Sequence, residues 1–243
     1  MEKQLLLFSL LAVVLTLAGG SIPLLKAWKE DHLHSFVCFS AGVLLSTAFL
    51  HLLPDALERA EARNVGACIL LSFLFLFILE KFIMLHPCEE THCDYHTMGK
   101  AAFVGMLIHT FFDGFALGAS VLVKNLGSVV FLAIMAHKIP SSFSLASILK
   151  AAKWSTGKIV FYIFIFGFVI PVGAYTSNSL LHLVGEKTIG IALSLSLGTF
   201  LYISTSDFLP EVHRAQNRRL KNLASFVLGI ALMAGLAYVL PDV

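Results

Sequence analysis

Four ionisable side chains interrupt two long apolar runs. In LIHTFFDGFALGAS, His109 and Asp113 stand four residues apart; in AIMAHKIPSSFSLAS, His137 and Lys138 come just before Pro140, Ser141, Ser142 and Ser144. Residues four apart on a helix project from one face, one turn above the other, so the imidazole and carboxylate of the first run converge. A second imidazole from an adjacent helix completes a set of two His and one carboxylate. Neutral imidazole and carboxylate suit Zn²⁺, which takes N and O ligands tetrahedrally and often keeps a water in the fourth position. The same set also fits Fe²⁺. The competing reading is that His109 and Asp113 hydrogen-bond across helices. The three serines read first as donors to carbonyls of their own helix, with Ser141 also a candidate for lining a path beside Lys138.

What positions these groups is an all-α polytopic membrane protein. Of the 243 residues, 58% are hydrophobic and 13% charged, against about 45–50% and about 25% in soluble domains. A spanning helix needs about 20 mostly apolar residues, and the sequence divides into eight such runs at 4–25, 33–54, 66–86, 99–123, 127–150, 156–181, 188–211 and 220–240. They form one transmembrane domain over 1–243, with no soluble domain, linker or low-complexity tract. The first run has the Lys3 and small-residue end of a signal peptide, but it stays apolar through Ile22 and Leu24, and its removal would leave seven spans. Cys38, Cys68, Cys88 and Cys93 show no CxxC pair and suggest no disulfide framework. By residue count, His109, Asp113, His137 and Lys138 lie near the bilayer centre. An ionisable group there costs about 2.5–3.5 kcal/mol on insertion scales and usually faces the bundle interior and serves function. Pro140 frees the carbonyl one turn earlier, which neighbours or a wet cavity must satisfy.

Basic residues favour cytoplasmic loops. With both termini outside, eleven Lys and Arg fall on the inner side and five on the outer side, Lys138 being within a span. The formal charge of +2 is explained by this topology and gives no reason to expect nucleic-acid binding.

AGVLLSTAFLHLLPDALERA (41–60) and LGTFLYISTSDFLPEVHRAQ (197–216) align at a constant offset of 156: Gly42 with Gly198, Leu45 with Leu201, Leu53 with Leu209, Pro54 with Pro210, Asp55 with Glu211. The two spans run in opposite directions, and inverted repeats are recurrent in secondary transporters, whose substrate sites lie near the midplane. Spans one to three then mirror six to eight, with four and five as the central pair. His51 and Asp55 at the outer end of span two, and Asp207, Glu211 and His213 at the inner end of span seven, are candidate relay ligands toward and away from the midplane; solvation of helix ends is the plainer reading of Asp55 and His213. The cytoplasmic loop 87–98 and its border carry His86, Cys88, His92, Cys93 and His96 among acidic residues, a composition that reads as metal capture.

The segments AGVLLSTAFLHLLPDA, HTFFDGFALGAS, HKIPSSFSLAS and LGTFLYISTSDFLPE together resemble the Zrt/Irt-like (ZIP) divalent metal transporters over nearly the whole chain. The resemblance implies eight helices in a 3+2+3 inverted-repeat arrangement, import of Zn²⁺, Fe²⁺, Mn²⁺ or Cd²⁺ into the cytoplasm, generally as a homodimer, and an elevator-like shift of one helix bundle against another. The metal is then substrate, with no cofactor, and the membrane a plasma or bacterial inner membrane. The family's span-four ligands fall on His109 and Asp113, with Thr110 where many members have Asn, and its first span-five ligand falls on His137. Many members read His-Glu-x-Pro-His-Glu in span five and hold two metals; here Lys138 and Ser141 replace the bridging carboxylate and a further ligand, and Ile170 precedes Pro171 where some members have another carboxylate. These departures imply a single-metal site with Lys138 supplying charge and pairing with Asp113 when no metal is bound. Two other functions fit parts of the pattern: an intramembrane zinc hydrolase of a lipid amide, in which the metal activates water, and a metal sensor using the His/Cys loop.

Overall fold

The computed structural model describes residues 2–26, 28–84, 93–121, 126–180, 185–214 and 219–239. Eight helices are long and apolar enough to cross a membrane. Span one is α1 (Glu2–Ser21) with a short 3-10 turn (Ile22–Leu24). Span two is α2 (Glu30–Thr47), a π-helical turn (Ala48–Leu52) and α3 (Leu53–Arg59). Spans three to six are α4 (Ala62–Met84), α5 (Cys93–Ser120), α6 (Leu126–Ala151) and α7 (Thr156–Ser179). Span seven is α8 (Glu186–Tyr202), running through a second π-helical turn (Ile203–Phe208) into α9 (Leu209–Arg214), and span eight is α10 (Arg219–Val239). No strand occurs among the described residues.

The expected spans are all found, and their ends differ most at two places. Helix α5 begins at Cys93 rather than at 99, so the segment expected as a loop over 87–98 is already helical from Cys93; no Pro intervenes before Ser120 to break it. Span two continues past 54 to Arg59, because Pro54 is absorbed instead of ending the helix. A Pro lacks an N–H and its ring clashes with the carbonyl four residues earlier. The chain widens by one residue just before it: the Leu53 N–H donates to the Ala48 carbonyl, five residues back. Pro210 is handled identically, with the Leu209 N–H donating to the Ser204 carbonyl.

The spans sort into two layers. The central windows of spans two, four, five and seven are 67%, 67%, 71% and 72% buried, and those of spans one, three, six and eight 39%, 22%, 39% and 17%. The inner four are therefore the ones able to hide polar groups, and the outer four present apolar side chains such as Leu70, Phe75, Phe161 and Leu228. Laterally, spans one, four, five and six pack on one another, and spans two, three, seven and eight pack on one another. The two groups meet where span two lies on span five and span four on span seven. Span four approaches span six closely at glycines: a Cβ on Gly114 would overlap the Ile170 carbonyl, one on Gly118 the Ala174 carbonyl, and one on Gly173 of span six the Phe111 carbonyl. Small residues at four-residue spacing permit this backbone approach. It fixes span four's rotation and so the direction in which His109 and Asp113 point.

Candidate metal centre

His109, Asp113 and His137 converge. One ligand atom from each lies within 4.8 Å of the others, and all three residues are buried. His109 and Asp113 sit on successive turns of α5, and His137 reaches them from α6. His109 Nε2 lies 2.9 Å from Asp113 Oδ2, and His137 Nε2 lies 3.2 Å from the same oxygen.

Ser196 of α8 orders the imidazole of His109. Its hydroxyl donates to Asp113 Oδ1 at 3.2 Å and lies 2.5 Å from His109 Nδ1. A hydroxyl has one proton to give, so when it goes to Asp113 the His109 Nδ1 carries a proton and donates to Ser196. That tautomer leaves a lone pair on Nε2. The Nε2 to Oδ2 approach is also off the axis a hydrogen bond needs, and Nε2 has no hydrogen-bond partner among the described residues. In that tautomer Nε2 and Oδ2, 2.9 Å apart, are both electron-pair donors of the kind a metal ion takes. Metal-bound histidines almost always donate their other ring N–H to such a partner. The Phe200 ring, one turn beyond Ser196, stacks on the imidazole with centroids 3.5 Å apart and fixes its plane.

Lys138 is fully buried and turned toward the same carboxylate. Its Nζ donates to Thr110 Oγ1 at 3.0 Å, lies 3.9 Å from Asp113 Oδ2, and stands 4.6 Å from the Phe166 ring centroid. The expected pairing with Asp113 is therefore present. Ser141 Oγ donates to the Lys138 carbonyl at 3.0 Å, Ser142 Oγ to Ile139 at 3.1 Å, and Ser144 Oγ to Pro140 at 2.7 Å. The serines bond to their own helix.

Among the described residues, His109, Asp113 and His137 are the group that could hold a metal ion. His51 is buried in the π-helical turn of span two. Asp55 in α3 is part-exposed and ion-paired with Arg59, Nη1 to Oδ1 being 3.8 Å. Asp207 falls in the second π-helical turn, and Glu211 and His213 in α9; their side chains are outside the described residues, as are those of Cys93 and His96 at the start of α5. His86, Cys88 and His92 lie outside the described residues altogether. Ser196 and Phe200 are the contributors that the sequence did not single out. Their polar and aromatic character in span seven was visible, but not their register against span four. A further buried pair, Tyr202 donating to Glu80, joins spans seven and three.

Comparison with known proteins places this geometry in a family. The family model described as ZIP Zinc transporter matches residues 3–98 and 85–237. The zinc transporter ZIP9 of Micropogonias undulatus is 26% identical, over 84% of this chain and 84% of its own. Zinc transporter ZIP1 of Danio rerio is 25% identical over 93% and 94%, and zinc transporter ZIP13 of Pongo abelii 28% identical over 85% and 66%. These are transporters and not enzymes, which removes the hydrolase reading. A multi-pass membrane chain with this match over most of its length belongs to the ZIP family of zinc transporters, in which zinc is the transported substrate and no cofactor.

Proposed function

We propose that this chain imports a divalent metal, Zn²⁺ first and Fe²⁺, Mn²⁺ or Cd²⁺ as alternatives, through a single-metal centre made by His109, Asp113 and His137. The observation that carries this is the convergence of His109, Asp113 and His137, three buried side chains of metal-ligating type whose donor atoms lie within 4.8 Å of one another. The ammonium of Lys138, 3.9 Å from Asp113 Oδ2, stands in for a second cation and supports one metal per site.

Passage takes place by relative motion of the two helix groups, in an inverted repeat of three, two and three spans. Several features support that repeat. At the offset of 156, the Ala48-to-Leu53 bond maps onto Ser204-to-Leu209. Gly42, which lies so close to span eight that a Cβ would overlap the Phe226 carbonyl, maps onto Gly198, equally close to the Ile69 carbonyl of span three. Exchanging one with six, two with seven, three with eight and four with five also carries the pairs two·eight, one·five and two·five onto seven·three, six·four and seven·four, all of which pack. His51 maps onto Asp207 and Asp55 onto Glu211, which suits paired relay ligands at the two mouths. Both termini face outward in a plasma or bacterial inner membrane, the protein works as a homodimer, and the 87–98 segment with its His and Cys captures delivered metal.

Uptake into proteoliposomes with a zinc-sensitive dye inside tests the centre. His109→Ala and Asp113→Ala are each expected to abolish uptake with folding intact. Uptake that survives both substitutions would refute the assignment.

A further inference from the structure

A cavity of about 440 Å³ opens between spans one, two, five and eight, lined by none of the metal-centre residues. Its lining is almost wholly apolar: Ile22, Phe36, Phe39, Phe143, Leu228 and Leu232 form most of it, with Ser35, Ile139, Pro140 and Ser225 completing it. The rim is open to the surroundings, Ile22 being 41% exposed, Ile139 38% and Leu228 62%. In a chain of eight spans those surroundings are acyl chains. The size falls within the range of ligand pockets, about 300–1,000 Å³. A helix is about 10–12 Å across, so this volume holds little more than one turn of a partner helix, whereas a flexible hydrocarbon chain fits its length.

Two exposed lysines, Lys26 and Lys221, neighbour lining residues of the cavity through ring contacts and helical spacing. The Phe36 and Phe143 rings meet edge to face with centroids 5.0 Å apart. Trp28 packs on the other edge of Phe36 at 5.0 Å, and Lys26 Nζ sits 5.6 Å from the Trp28 ring centroid. This aromatic ladder runs from the Phe36–Phe143 wall of the cavity to an exposed ammonium, and Trp is a residue that favours the headgroup level. On α10, Lys221, Ser225, Leu228 and Leu232 follow helical spacing and share one face. Lys221 lies one turn, about 6 Å, beyond Ser225, and is exposed.

We infer that this groove is a binding site for an anionic phospholipid, one acyl chain lying along Phe36, Phe39, Phe143 and Leu228 and the phosphate headgroup held between Lys26 and Lys221. The chain would lie between Ile22, Ile139 and Phe143 of one helix group and Phe36, Phe39 and Leu228 of the other. Its effect on transport rests on the proposed relative motion of those groups, but its binding does not.

Native mass spectrometry of the detergent-purified full chain, exposed to equal amounts of dioleoyl phosphatidylglycerol and dioleoyl phosphatidylcholine, tests the binding without any transport assay. One phosphatidylglycerol is expected to stay bound, preferred several-fold over phosphatidylcholine. Leu228→Trp, which fills the groove from its lipid-exposed wall, is expected to lose it, as is Ser225→Trp if the first variant folds poorly. Lys26→Gln with Lys221→Gln is expected to keep a lipid but lose the headgroup preference. Equal retention by the Trp variants and the unaltered chain would overturn the proposal, as would an unchanged preference in the Gln variant. Loss of a dimer instead of a lipid in the Trp variants would assign the groove to a second copy and equally overturn it.

Discussion

Replacing Lys138 by Met keeps an unbranched stem against the Phe166 ring and removes the charge 3.9 Å from Asp113 Oδ2. At an effective dielectric of about 20, unit charges at that separation attract by about 4 kcal/mol, and removing one member of a buried pair typically costs about 3–5 kcal/mol. Ser196 and His137 also contact Asp113 and remain in the variant, so the lower end, about 3 kcal/mol, applies. Zinc affinity changes in the opposite direction. A divalent ion on the same carboxylate is repelled by the ammonium in the unaltered protein. Its removal strengthens binding by at least about tenfold, equivalent to about 1.4 kcal/mol. Thermal melting of the detergent-solubilised protein with a chelator, and zinc titration calorimetry, read the two effects separately. Lower melting in chelator together with tighter zinc binding is the expected pair. Unchanged melting and unchanged affinity would refute the argument that Lys138 acts as a tethered counterion, and lower melting without tighter binding would reduce it to a structural residue.

Ser196→Ala removes the hydroxyl that holds the His109 tautomer; loss of such a supporting bond typically costs about 10–100-fold in metal affinity, measurable by the same titration, and an unchanged affinity would show that the tautomer is set elsewhere. Gly118→Ala drives a Cβ into the Ala174 carbonyl, backbone against backbone, and should destabilise by about 1–3 kcal/mol; a melting temperature equal to that of the unaltered chain would contradict the close packing of spans four and six. Protonation removes the lone pair through which an imidazole ligates, so binding weakens as pH falls. Zinc titration at about pH 7.5 and about pH 5.5 reads this, and tighter binding at the lower pH would exclude a histidine-ligated metal.

The eight spans were legible because a bilayer sets helix length from outside, so long apolar runs can be divided without knowledge of tertiary contacts. His109, Asp113, His137 and Lys138 were legible because ionisable groups in such runs are costly and therefore rare. Ser196 was not. A serine in an apolar helix usually bonds to its own backbone, as Ser194 does to Gly190, and only the register of span seven against span four makes Ser196 different. The π-helical turns left a partial trace: Pro54 and Pro210 stand at equal offset, but sequence alone does not say whether a proline ends, kinks or widens a helix. Glu80 was as anomalous in its apolar run as Asp113, yet its partner, Tyr202, comes from a span more than a hundred residues on.

The distribution of these partners across the two helix groups bears on how transport and binding would be coupled. His109, Asp113, His137, Thr110, Lys138 and Phe166 all belong to spans four, five and six, so the charged cluster could travel as a unit with its counterion. Ser196 and Phe200 belong to span seven, in the other group. On the transport reading, a shift between the groups would break the two Ser196 bonds and the Phe200 stack first, freeing the His109 ring while Lys138 stays beside Asp113. Metal would be held by an ordered imidazole in one position and by an unrestrained one in the other, and the difference in affinity would come from span seven without any change of ligands. Ser196→Ala therefore bears on the motion as well as on binding. If Ser196 discriminates the two positions, the variant binds zinc more weakly yet loses less in transport rate at saturating zinc than in affinity, because the ordered state it destabilises is the one that the metal must leave.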